Sequence, residues 1–139
     1  MKKYLNLSLI YAIAALVSGV FYREFTKWNG YHDVTTLGKV HVHLFMMGMM
    51  TFLIIALFSV HQELNKCKLF CVFLWIYNIG VPITAVMMVV RGITQVLNIS
   101  LSTAADAAIS GIAGIGHILT GVGIILLLLS LKKTAPNGR

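Results

Sequence analysis

Long apolar stretches alternate with short polar ones along the chain. Residues 4–22, 40–60, 69–90 and 107–131 contain no Asp, Glu, Lys or Arg, and each has about the 20 residues a helix needs to cross a hydrocarbon core of about 30 Å. The pattern predicts four membrane-spanning helices, over about 4–23, 37–60, 68–91 and 105–131. A membrane barrel would instead show segments of about 10 residues with polar alternation. The expected fold is all-α, an integral membrane four-helix bundle forming one domain over residues 1–139.

Composition points the same way. The chain is 58% hydrophobic and only 11% charged, against roughly 25% charged residues in ordinary soluble domains, and its mean hydropathy is +0.87. All four acidic residues, Glu24, Asp33, Glu63 and Asp106, lie at or between the ends of the apolar runs.

Lysine and arginine set the expected orientation. Lys2, Lys3, Lys66, Lys68, Lys132, Lys133 and Arg139 lie on one side of the predicted spans, and Arg23, Lys27, Lys39 and Arg91 on the other. The excess places both termini in the cytoplasm. The net charge of +7 is then topology signal and anionic-lipid contact, and nothing resembles a basic, aromatic face for nucleic acid. The first span has the basic start and apolar middle of a signal peptide, but no clear small-x-small cleavage site follows Val17-Ser18-Gly19, so it is expected to remain.

The chemistry concentrates in the second span, in Gly38-Lys39-Val40-His41-Val42-His43-Leu44-Phe45-Met46-Met47-Gly48. Ionisable side chains inside a membrane are costly and usually functional. At 3.6 residues per turn, His41 and His43 point about 200° apart, whereas zinc pairs on one helix sit four residues apart. The spacing therefore predicts two faces rather than one closed metal site. The His41 face continues through Phe45, Gly48 and Phe52, and the His43 face through Met46, Met47 and Met50. Gly48, two turns below His41, would let a flat macrocycle lie against the backbone. A heme site is the reading these residues favour. The alternative is that a histidine only bonds a carbonyl of a neighbouring helix.

Arg23 and Arg91, at the ends of the first and third spans, are candidates to hold heme propionates through forked guanidinium bonds; snorkelling at the interface explains each one separately. On the fourth span, Ser110, Ala113, Gly114 and Gly121 share the face of His117. They form either a close helix seam or a groove floor with His117 as a reserve ligand. His117 lies about 16 Å beyond Asp106, and His41 and His43 about 9 to 12 Å into their helix, a depth difference that weighs against a His43–His117 pair. Asp33 or Thr35 is expected to cap the second helix and Thr103 the fourth. Cys67 and Cys71 read as packing residues.

His41-Val42-His43-Leu44-Phe45-Met46-Met47-Gly48 resembles the histidine-bearing helices of the heme-copper oxidase catalytic subunit and of the related nitric-oxide-response heme membrane proteins. The whole chain is also similar to a group of short four-span bacterial proteins of unknown function. In the oxidase family twelve helices form three arcs of four, and an HxH pair in the second helix of an arc serves cofactors in two neighbouring pores. The resemblance implies a multi-pass protein of the bacterial inner membrane that assembles as a symmetric homo-oligomer, with a trimer favoured. Each heme b would be held between His41 of one subunit and His43 of another. Arg91 falls where that family keeps arginines near propionates. The chain departs from the family in having no adjacent His-His pair for copper and no tyrosine four residues after a second-helix histidine. No complete catalytic centre follows, so whether the protein is an enzyme stays open. Electron transfer or redox and gas sensing is the expected role, with quinol or another electron donor as candidate partner. The rivals are a transition-metal or proton carrier that uses the intramembrane histidines, and a small non-enzymatic assembly subunit.

Overall fold

The computed structural model describes residues 1–135; Arg139, counted in the charge balance, lies outside them. Four helices are long and apolar enough to cross a membrane: α1 (Lys2–Trp28), α2 (Leu37–His61), α3 (Lys68–Val96) and α4 (Thr103–Thr134). They run for 25 to 32 residues, or about 38 to 48 Å at 1.5 Å per residue, longer than the roughly 30 Å of a hydrocarbon core.

The helix ends extend past the apolar runs because the chain has no breaker there. At one end of the bundle, α1 continues to Trp28 and closes with Gly30 at φ 61, whose neighbour Tyr31 donates to the Thr26 carbonyl at 3.0 Å. Helix α3 ends in the same way, with Asn98 at φ 51 and Ile99 donating to Thr94. Both are left-handed C-terminal caps. The α2 amino terminus is satisfied from outside its own segment. Gln95 Oε1 accepts from the Thr36 backbone N–H at 2.8 Å and from both threonine hydroxyls, while Thr35 Oγ1 accepts weakly from Leu37. Asp33 takes no part in this cap. On α4 the cap is Ser102, whose hydroxyl accepts from Ala105 at 3.2 Å; Thr103 is already inside the helix.

Each helix packs on its sequence neighbours, α1 on α2, α2 on α3 and α3 on α4. Helix α3 is the most enclosed of the four. The core of the α1–α2–α3 half is a chain of aromatic rings. Tyr11 stacks on Phe52 at 5.6 Å, and Phe52, Tyr77, Phe73, Phe70 and Tyr4 follow at centroid distances of 5.1 to 6.1 Å. The α3–α4 half is held by close backbone approach. A Cβ at Gly80 would lie 2.7 Å from the Thr120 nitrogen, and one at Gly116 would lie 2.9 Å from the Thr84 nitrogen.

Large apolar side chains such as Leu9, Ile13, Leu16 and Val20 on α1, and Ile115, Ile118, Ile125 and Leu128 on α4, are exposed. In water such faces would be aggregation surfaces; in a bilayer they are the lipid contact. Cys67 is buried, Cys71 is exposed, and both are free thiols.

Candidate functional site

Helix α2 is not a uniform α-helix. It is α-helical over Leu37–His43, π-helical over Leu44–Met50, and α-helical again over Thr51–His61. The π segment begins immediately after the second histidine. A coil closed by i→i+5 bonds turns less per residue, so residues four apart stay in line along it. The buried stripe accordingly reads Val40, Leu44, Gly48, Phe52.

This changes the faces expected from a 3.6-residue period. Gly48 and Phe52 belong to the Val40 and Leu44 stripe, not to the His41 face. The flat object lying on Gly48 is the Tyr11 ring of α1, close enough that a Cβ at Gly48 would collide with two of its atoms and with Tyr11 Cβ. Gly48 is thus a packing glycine under Tyr11 and not a floor for a macrocycle.

Three side chains satisfy carbonyls along the π segment. Tyr77 donates to the Met47 carbonyl at 2.7 Å, Ser8 to Met49 at 2.9 Å, and Thr51 to Met46 at 3.3 Å. Tyr77 and Ser8 are buried, so the segment is held from α1 and α3 at once.

The two histidines face different neighbours, as a spacing of two demands. His41 turns toward α1, where its Cβ and Cγ sit opposite Gly19, and its Nδ1 is buried without a hydrogen-bond partner. His43 turns the other way, into a groove of about 370 Å³ bounded by α2, α3 and α4. That groove also contains His117, Arg91, Lys39, Met87 and Met88. Both histidines line this groove despite the depth difference inferred from counting residues along straight helices. Their helices start at different heights, because Thr36 is drawn down onto Gln95 inside the last turn of α3 while α4 begins only at Thr103.

His43 and His117 share one local geometry. Nδ1 of His43 bonds the Lys39 carbonyl at 2.9 Å, and Nδ1 of His117 bonds the Ala113 carbonyl at 2.8 Å. A carbonyl only accepts, so Nδ1–H is the donor in each case. In the neutral ring the lone pair then lies on Nε2. This is the arrangement that orients a metal-ligating imidazole and raises its basicity. Neither Nε2 has a hydrogen-bond partner within the described residues.

Of the two arginines, one reaches the groove. Arg91 Nη1 donates to Asp106 Oδ1 at 2.6 Å and Nη2 to Ser110 Oγ at 2.7 Å, which ties α3 to the start of α4. Arg23 is exposed on α1, 3.7 Å from Glu24, and does not line the groove. The pair expected at one propionate edge is therefore not assembled, because α1 lies on the far side of α2. The second cation beside His43 is Lys39, one turn earlier on the same helix.

The glycines of α4 divide between two faces. Gly116 and Gly123 meet α3, together with the buried Thr120. Gly111, Gly114 and Gly121 have no atom within 4 Å of where a Cβ would stand, and His117 is exposed beside them. The small-residue face that carries His117 is thus not the seam with α3. Among the described residues no group of three or more His, Cys, Asp or Glu side chains is placed to hold a metal ion.

Fold and site together define an all-helical protein with four helices long and apolar enough to cross a membrane and a groove between them lined by two histidines. The chain belongs to the DUF2871 family, described as a protein of unknown function, which matches residues 1–134. No curated protein and no solved structure matches it.

Proposed function

We propose that the protein binds b-type heme within a bacterial inner membrane and serves in electron transfer or in redox or gas sensing. The observation that carries this reading is the pair His43 and His117. Both line one groove, and both have Nδ1–H fixed on a backbone carbonyl, which leaves Nε2 for iron. An unsatisfied polar nitrogen in hydrocarbon costs several kcal/mol, so His117, exposed on α4, calls for a partner that lipid does not supply.

The donor set fits the group. Two imidazoles and no third His, Cys, Asp or Glu suit an iron whose other four ligands come from the macrocycle, and suit a bare zinc ion poorly. Heme would supply one-electron chemistry at the iron. The chain's own contribution is to fix the imidazole tautomers through the Lys39 and Ala113 carbonyls and to surround the groove with Met87, Met88 and Ile109. Lys39 and Arg91, the latter already paired with Asp106, would offset the propionate charge.

A groove of about 370 Å³ is at the small end of ligand pockets, which span about 300 to 1,000 Å³. A macrocycle held between the two histidines there would extend past the groove at one edge. The open glycine face of α4 is the surface on which a second copy of the chain would close it, in keeping with the homo-oligomer that the oxidase resemblance implies. That resemblance pairs His41 with His43 across subunits, whereas the groove favours His43 with His117.

Single alanine variants at His41, His43 and His117 separate the pairings. Heme content per chain, measured on the monodisperse detergent-solubilised protein, should fall sharply for His43→Ala and His117→Ala and hold for His41→Ala. Loss at His41 and retention at His117 would move the ligand pair to the subunit interface. Full retention in all three would remove the histidines from the site.

A further inference from the structure

A second cleft lies at the end of the bundle that carries the amino terminus, away from the histidine groove. It measures about 650 Å³ and is bounded by the 61–68 connection, the start of α3 and the last turn of α4. Lys66, Lys68 and Lys133 line it from these three elements, with His61 beside them. Its one acidic side chain is Glu63, already engaged by Lys66 at 2.9 Å. Lys68 and Lys133 have no acidic partner among the described residues.

The walls of the cleft are fixed to each other. Thr134 donates to Gln62 Oε1 at 2.8 Å, joining the end of α4 to the connection, and the buried Leu64 and Cys67 anchor the connection to the core. The lysines are thus carried by elements held in a definite relation. Below the cleft the apolar flanks of α3 and α4 begin, with Val72, Trp75, Leu128 and Leu129 exposed. Cationic side chains around a concave site, next to an exposed apolar wall, match a molecule with an anionic head and apolar chains.

We propose that this cleft binds the phosphodiester headgroup of an anionic phospholipid, with Lys68 and Lys133 as the principal contacts and the acyl chains lying along α3 and α4. The site is independent of the heme reading. Its specificity would come from charge, since a zwitterionic headgroup carries an ammonium that the lysines repel.

The test is native mass spectrometry of the full, delipidated chain in detergent, titrated with phosphatidylglycerol, with phosphatidylcholine and with inorganic phosphate. One phosphatidylglycerol per chain should bind in preference to phosphatidylcholine. The Lys68→Gln/Lys133→Gln double variant should weaken that binding roughly 30-fold, since each lysine near an anionic headgroup contributes about fivefold. Lys2→Gln/Lys3→Gln removes the same charge at the same end without touching the cleft, and should change affinity less than threefold. Lys68→Arg/Lys133→Arg should restore binding. Equal loss in the two glutamine pairs would reduce the effect to general surface charge and overturn the site. Binding of phosphate that abolishes the lipid adduct at equal concentration would overturn the lipid assignment in favour of a soluble anion.

Discussion

The Tyr77 hydroxyl on α3 donates to the Met47 carbonyl on α2 at 2.7 Å, in the middle of the π-helical segment. A π segment is rare and costs backbone geometry, and such segments are often found at functional positions. Here it starts at the residue after His43, and Tyr77 and Ser8 satisfy two of its carbonyls from two different helices. Tyr77→Phe keeps the ring in the aromatic chain and removes only the donor, leaving a carbonyl without its partner. The expected loss is about 1 to 3 kcal/mol, measured as a lowered midpoint of thermal unfolding in detergent. An unchanged midpoint would show that the segment does not depend on this bond.

The division of the α4 glycines makes a sharper steric prediction. Gly116→Ala places a methyl 2.9 Å from the Thr84 backbone nitrogen, whereas Gly111→Ala meets nothing within 4 Å. Overpacking of this kind costs about 1 to 3 kcal/mol, while alanine in place of an exposed helical glycine is favourable by up to about 1 kcal/mol. The two variants should therefore move the unfolding midpoint in opposite directions.

Arg91 and Asp106 form the link between the groove rim and the start of α4. Both side chains are partly exposed, so their coupling should be modest, about 0.2 to 1 kcal/mol. A double-mutant cycle with Arg91→Gln and Asp106→Asn, read by thermal unfolding, checks this. Under the proposed function, Asp106→Asn should also leave heme content intact, because it frees the guanidinium instead of removing it.

The cap assignment on α4 is a local test. Ser102→Ala removes the acceptor for the Ala105 N–H and should cost about 1 kcal/mol; Thr103→Ala removes no cap and should stay within about 0.5 kcal/mol.

The four long apolar helices were legible because charged residues end each apolar run: Arg23 and Lys39 bracket the first loop, and Asp106 and Lys132 bracket the longest run. The opposition of His41 and His43 was legible too, since both lie in the α-helical part of α2, before the helix widens. What lay beyond the sequence has particular causes. A 3.6-residue period carries Gly48 onto the His41 face, and only the π segment, held by Tyr77 and Ser8 far away in the chain, returns it to Tyr11. The capping of α2 by Gln95 is likewise a tertiary contact across 59 residues. Arg23 and Arg91 both close a span, but nothing in their positions says that α1 and α4 lie on opposite sides of the central helices. The shared groove of His43 and His117 follows from the vertical offset between helices, which residue counts along each helix separately do not contain.

The proposed heme is best tested by an absorption spectrum of the protein purified from heme-replete cells, oxidised and dithionite-reduced, with a pyridine hemochrome count. Ligation by two histidines should give the sharp reduced bands of a low-spin b-type center, at about one heme per chain. A monodisperse preparation with no absorbance in that region, and none after heme is added back, would contradict it.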